Sequence, residues 1–258
     1  VILILLDKLP ILNYRITGIS VLWMYGMSKR TPVISFASTK GGVGKTTLAM
    51  SLATALANRL IGSAEYRVAC IDADPNATLD TALRQTGFPE ILSMVSDAET
   101  LLPTLRDAQR SADLVLIDLE GSANQSMLYA AGKSDLVVIP AQPSAFDVRE
   151  ARKTAGVVQQ AADLVQREIP ITVVLTRTPV LRQRVADHSR TQFSNADLPL
   201  LPVELVQRTA FQTMTYTGQP PFLTEPGGGA AQNVDALADA IAELIGLELH
   251  PRVPRGDA

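Results

Sequence analysis

The chain has 258 residues, 47% hydrophobic and 19% charged, enough to bury the core of one ordinary domain or two small ones. Its single cysteine, Cys70, and its two histidines, His188 and His250, exclude a disulfide framework, a Cys-rich metal or iron–sulfur site within one chain, and a structural zinc. With 23 Lys+Arg against 26 Asp+Glu the net charge is -3, so any contact with nucleic acid needs a local basic patch, or two patches joined by dimerisation.

Residues 1–26 are apolar but broken by Asp7, Lys8, Pro10 and Arg15. They lack the basic start and small-residue cleavage site of a signal peptide, and no stretch is long enough for a membrane span. Met27 opens a run that leads straight into a strand, so 1–26 is expected to be an upstream or non-native extension of a single domain at 27–248. Strands are predicted at 32–38, 67–71, 114–117, 135–140 and 171–175, with a short one at 198–201. Helices are predicted at 47–60, 78–84, a short one ending at Gly132, then 144–167, 180–193, 204–216 and 230–247, the last after a break at 227–229. Ser144, with Asp147 three residues on, is the expected N-cap of the longest helix. The tail 249–258, with two prolines and a glycine, is expected to be disordered.

Short strands, apolar on both faces, alternating with longer helices mean an α/β fold: a mostly parallel central sheet with helices on both faces. Ligands in such folds sit at the carboxyl ends of the strands, here the loops after Ser38, Ile71 and Ile117. The sequence shows no second-domain boundary, internal repeat or appended helix-turn-helix.

Gly41-Gly42-Val43-Gly44-Lys45-Thr46-Thr47 stands between a predicted strand and a predicted helix, as a phosphate-binding P-loop must. Glycines let successive N–H groups point at phosphate oxygens, and the helix N-terminus adds a favourable field. Lys45 is placed to meet β and γ phosphates, and the Thr46 hydroxyl to ligate magnesium. The general GxxxxGK[ST] form is broken at its first glycine, where Thr39 stands, and a second lysine, Lys40, precedes the glycines. Two acidic positions follow apolar strands: Asp72-Ala73-Asp74-Pro75 and Asp118-Leu119-Glu120-Gly121. An Asp at such a strand end beside a P-loop serves magnesium directly or through water, and Asp118 is the better placed of the two.

Lys40 to Thr47, Asp72 to Pro75 and Asp118 to Gly121 together resemble the deviant-Walker-A ATPases, the ParA/MinD group whose relatives include the nitrogenase iron protein. The resemblance runs from about 33 to 247 and includes 202–222, with Arg208, Ala210, Phe211 and Gly218. It implies a P-loop fold, ATP/ADP and Mg2+ as cofactors, and a weak ATPase stimulated by a partner. It implies that Lys40 reaches across a dimer to the partner's nucleotide, that Lys45 and Thr46 hold phosphate and magnesium, that Asp74 orients the hydrolytic water, and that Asp72 and Asp118 support the metal. Partition proteins of the group usually carry a Pro-containing switch after the second Asp. Glu120 in that place is similar to a side branch that includes the agrobacterial T-DNA-transfer ATPase, and leaves the hydrolysis rate and the partner open.

The group divides by what its dimers sit on. The last predicted helix has an apolar face of Val234, Leu237, Ile241, Leu244 and Ile245 and an acidic polar face of Asp235, Asp239 and Glu243, which anionic lipid would repel. The lone cysteine excludes an iron-protein cluster. DNA remains, through Arg177, Arg182, Arg184, Arg190 and Arg208, which a dimer would double and which would meet backbone phosphates without reading sequence. The expected function is an ATP-dependent dimerising switch that binds DNA non-specifically. It would partition or position a plasmid, chromosome region or DNA-transfer complex, cytoplasmic and nucleoid-associated, with a small DNA-binding or adaptor protein stimulating hydrolysis. A positioning ATPase for a protein cargo and a metabolic P-loop enzyme are the alternatives.

Overall fold

A computed structural model describes residues 30–60, 66–181 and 184–252. The expected extension at 1–26 lies outside the described residues. The unit that carries the fold is Thr31–Ala258.

The elements follow in order: β1 (Val33–Phe36), α1 (Lys45–Arg59), β2 (Val68–Ala73), α2 (Thr78–Arg84), β3 (Ile91–Val95), α3 (Leu101–Ser111), β4 (Leu114–Leu119) and α4 (Gln125–Lys133). Then come β5 (Leu136–Ala141), α5 (Ala145–Val165), β6 (Ile171–Thr178), α6 (Arg184–Ser194), β7 (Leu205–Val206), α7 (Thr209–Thr217), α8 (Pro221–Thr224) and α9 (Gly229–Ile245). The strands form one sheet in the order β3-β2-β4-β1-β5-β6-β7, and every pairing is parallel.

Parallel strands need crossovers, and the helices of those crossovers bury both faces of the sheet, so strand residues are apolar on both sides. Side chains alternate accordingly. Ile34 and Phe36 of β1, Val68 and Cys70 of β2, and Leu114 and Leu116 of β4 pack on the face covered by α1, α2, α7 and α9. Their neighbours Val33, Ala69, Ile71, Val115 and Ile117 pack on the other, under α3, α4, α5 and α6. By the same period of two, Asp72 and Asp118 continue the Cys70 and Leu116 rows onto the α1 face. The register places Asp72 directly opposite Asp118, and Asp118 opposite Phe36, at the carboxyl end of the sheet.

The structure adds elements the sequence pattern did not predict: β3, α3 and α8. It also exchanges two others. The expected strand at 198–201 makes a single bridge, Val173 to Leu200, while β7 forms inside the span expected to begin a helix, which starts only at Thr209. The expected break at 227–229 closes into the start of α9, with Gly228 as its N-cap. On that helix Leu244, expected on the apolar face, is half exposed, whereas Val234, Leu237 and Ile241 are core.

The first residues of the tail expected to be disordered are tied down. The His250 N–H donates to the Arg59 carbonyl at 2.9 Å, and the Arg252 Nε donates to Asp235 at 2.8 Å. The Arg252 guanidinium lies 4.7 Å from the centre of the Phe222 ring. Residues 253–258 lie outside the described residues. No helix among the described residues is long and apolar enough to cross a membrane.

Candidate functional site

β1 delivers the chain into the glycine-rich loop at the centre of the sheet, and α1 leaves it. Gly42 and Gly44 take φ of +74° and +91°, the left-handed region that glycine enters at no steric cost. Gly44 is the N-cap of α1, so the first helical N–H groups are left facing the loop.

Thr39 explains the departure from the general motif. Its N–H donates to Thr154 Oγ1 at 3.1 Å and its hydroxyl to Glu150 Oε2 at 2.9 Å, so the residue in place of the first glycine ties the loop to α5. On the far side the Thr176 hydroxyl of β6 donates to the Val43 carbonyl at 2.6 Å. The loop is therefore braced from two elements.

Lys45 is buried, and that burial lowers its pKa, against the opposing pull of Asp118, Asp74 and Glu120. The Thr46 hydroxyl donates to Asp118 Oδ2 at 2.7 Å. Asp118 is 1% exposed, and its second oxygen, Oδ1, is buried without a hydrogen-bond partner. Burial first, then the neighbouring Asp72 and Asp74, push its carboxyl up to about 7, while the Thr46 hydroxyl and Lys45 hold it down. Asp72 is buried as well, which raises its pKa, although it accepts the N–H groups of Asp80 at 2.9 Å and Asp74 at 3.1 Å. Asp74 stands half-buried at the mouth, its Oδ1 accepting the Asn76 N–H at 2.9 Å.

The loop after β4 presses onto the P-loop. A Cβ on Gly121 would lie 2.9 Å from the Gly41 Cα, so only glycine fits that crossing. Glu120, half-buried beside it, accepts the Asn124 side-chain N–H at 3.0 Å, and Asn124 Oδ1 caps α4 by accepting the Met127 N–H at 3.0 Å.

Lys40 is held by its own chain. Its Nζ donates to Asp147 Oδ2 at 3.0 Å, with the lysine side chain 38% exposed and the aspartate 3%. Asp147 in turn takes a short hydrogen bond from the Ser144 hydroxyl, and Ser144 caps α5 by accepting the Asp147 N–H at 3.1 Å, the capping pair expected from the sequence.

The structure brings Lys40, Lys45, Thr46, Thr47, Asp72, Asp74 and Asp118 to one end of the sheet, but it scatters the arginines. Arg190 is engaged by Asp187 at 2.7 Å and by Glu204 at 2.5 Å, which removes it from a free cationic patch. Arg208 lines a cleft beside the P-loop. Arg177 is exposed at a positive φ of +53°. Arg182 lies outside the described residues, and Arg184 begins α6. Sequence reasoning passed over Thr39, Thr176, Asn124 and Asp147 as positioning residues. β6 carries three threonines, Thr172, Thr176 and Thr178, and nothing local marks Thr176 as the one that meets the loop.

The donor set suits a hard cation shared with phosphate. Thr46 Oγ1 and the orphaned Asp118 Oδ1 are oxygen donors, and oxygen ligands completed by phosphate and water are what magnesium takes at such sites. Among the described residues no trio of His, Cys, Asp or Glu side chains could hold a metal without such help.

A central parallel strand, a braced glycine loop carrying Lys40 and Lys45, and two aspartates on one register line define a P-loop ATPase of the deviant-Walker-A, ParA/MinD type. The chain matches the VirC1 protein family over residues 31–223. It is 30% identical to the virC1 protein of Rhizobium radiobacter over 195 residues, 72% of this chain and 81% of the relative. It is 29% identical to a protein ParA of the same organism over 221 residues, 83% of this chain and 97% of the relative. Among solved structures, an ATP complex of a McdA variant from Cyanothece superposes with a TM-score of 0.69 at 18% identity, over 85% of this chain and 98% of that one. The chain belongs to the VirC1 family, a branch of the ATP-hydrolysing switch ATPases that partition or position cargo.

Proposed function

We propose that the cleft binds ATP with magnesium, that binding closes two chains face to face, and that the dimer holds DNA through its backbone. The Thr46–Asp118 pair carries this reading: one buried carboxylate oxygen is satisfied, the other is not, and both lie beside a buried lysine at the start of α1.

In this reading Lys45 and the N–H groups of the loop neutralise the β and γ phosphates. Thr46 and Asp118 would hold a magnesium ion, which would supply positive charge to offset the charge that develops on the terminal phosphate. Asp72 supports that shell from the next strand. Asp74, at the mouth, orients the attacking water through Oδ2, while Oδ1 keeps its hydrogen bonds from Asn76. Lys40 exchanges Asp147 for the partner's nucleotide when two chains meet, in a partly dehydrated setting where Coulomb terms are stronger than in water.

DNA contact is assigned to Arg177, Arg182 and Arg184, doubled by the dimer, with Arg190 and Arg208 withdrawn. The relatives named virC1 and ParA favour a DNA-transfer complex or a replicon as the cargo, with an adaptor protein that stimulates hydrolysis, in the cytoplasm on the nucleoid.

Sedimentation and a DNA mobility assay on one preparation test the proposal. Wild type should dimerise and bind DNA only with ATP and magnesium. Lys40→Ala should bind ATP within a few-fold of wild type yet stay monomeric and lose DNA. A Lys40→Ala protein that dimerises fully removes that lysine from the interface, and a monomer that still holds DNA breaks the link between the two.

A further inference from the structure

The Gln207 N–H donates to the Thr178 carbonyl at 2.7 Å, extending the pairing of β7 with β6 and fixing Arg208 at the strand's end, as the N-cap of α7. There it forms one wall of a cavity of about 320 Å³, whose opposite wall is Gly44 and Thr47. Val206, Phe211 and Gln212 complete the Arg208 side, and no carboxylate lines the cavity.

Several other arginines, Arg59, Arg84, Arg190 and Arg252 among them, each hold an aspartate or glutamate, and Arg177, which lines the same cavity, is exposed. Arg208 instead keeps a buried Nε with no hydrogen-bond partner. Its guanidinium is seated on Gly229 at the start of α9, so closely that a Cβ there would lie 2.6 Å from Nη2 and 2.8 Å from Cζ. A buried donor left unsatisfied is costly, and a cationic one more so, unless a ligand completes it.

The position of the cavity says which part of a ligand that is. It opens at Thr47, one residue beyond the Lys45–Thr46 pair, and runs away from Asp74 and Asp118, towards β7. A nucleotide with its phosphates on the loop sends its nucleoside in that direction. We infer that Arg208 grips the purine base of the bound nucleotide, its planar cation lying against the face of the ring. A guanidinium can stack in this way, whereas a lysine ammonium offers no planar face. The inference rests on the nucleotide reading above and deepens it. It removes Arg208 from DNA contact and makes base binding sensitive to the junction of α7 with α9.

Calorimetric titration with ATP, ADP and inorganic tripolyphosphate tests the assignment, with DNA affinity measured separately. Arg208→Ala should weaken ATP and ADP alike, by about 3- to 30-fold, and leave tripolyphosphate unchanged. Arg208→Lys, which keeps the charge, should recover only part of the loss. Gly229→Ala, which pushes the guanidinium off its seat while leaving the arginine in place, should weaken both nucleotides by a smaller factor. Unchanged ATP and ADP affinity in the variants overturns the inference, as does an equal loss for tripolyphosphate, which would put the contact on phosphate. Loss of DNA binding alone returns Arg208 to the DNA surface. Wild type that binds no ATP sinks the nucleotide reading itself, a result distinct from any of these.

Discussion

Two carboxylates opposite each other on parallel strands, both buried, are tolerable because the site is built for cations. Without one, Asp118 keeps its proton well above the ordinary carboxylate range, up to about 7, chiefly through burial. The sign follows by linkage. The unfolded chain releases this proton near pH 4 and the folded chain near 7, so between those values the folded state binds more protons and its stability falls as pH rises. Asp118→Asn removes that slope. In the absence of nucleotide and magnesium, its melting temperature should gain on wild type from pH 5 to about pH 7 and level off above that. A constant difference across that range would show that Asp118 titrates normally. Lys45→Ala, one residue from Thr46, should weaken ATP by about 10- to 100-fold, the worth of a charged hydrogen-bond set, with calorimetry as the readout. Gly121 carries the sharpest steric constraint, since its missing Cβ is the space the P-loop occupies. Gly121→Ala should cut ATP hydrolysis at least tenfold with a small change in overall stability, because the loops that must move apart carry phosphate ligands. Hydrolysis at the wild-type rate would mean that the crossing can open freely.

At the scale of elements, α5 is joined to the P-loop twice, through Thr39 with Glu150 and Thr154 and through Lys40 with Asp147. Ser144→Ala should cost about 1 kcal/mol of stability as a lost N-cap and, by loosening Asp147, should also strengthen ATP-dependent dimerisation. Asp147→Asn should strengthen it further, because Lys40 then loses its charged partner within the chain. Sedimentation across a range of protein concentrations measures both, and weaker dimers in either variant would contradict the exchange. The sequence displayed the site better than it displayed these supports. KGGVGKTT and the two strand-end aspartates are local patterns whose chemistry is carried by residue type and spacing. The pairing of Lys40 with Asp147 spans residues far apart in the chain, and nothing in either neighbourhood announces it. β3 escaped because Ser93 interrupts a short edge strand whose side chains are only partly buried, and α3 because Pro103 stands in its first turn, where proline is in fact tolerated. The exchange between 198–201 and β7 has the same origin. Both stretches are short and apolar, and both meet β6, the first through the single bridge at Val173 and β7 further along at Thr176 and Thr178.

Across the whole molecule, α1 links the two ends of the fold: its first turn carries Lys45 and Thr46, and its last residue, Arg59, is clasped by Asp239 at 2.7 Å and by the carbonyl of His250. Arg252 closes that clasp over Phe222 and onto Asp235. Truncation after Leu249 should therefore lower the melting temperature by a few degrees, about 1–2 kcal/mol from one partly buried ion pair and one cation–π contact. An unchanged melt would make the segment ornamental. Cys70, by contrast, has a use because of what it cannot do. It is fully buried in the centre of the sheet and its thiol is pushed up by that burial, so it stays protonated and closed to alkylating reagents at neutral pH. As the sole cysteine of the chain it leaves a silent background for labelling. A cysteine placed at Phe146, which is 76% exposed beside Asp147, would be the only thiol a maleimide dye finds. Energy transfer between two such dyes would then follow the approach and parting of the chains in real time, with every native thiol left intact.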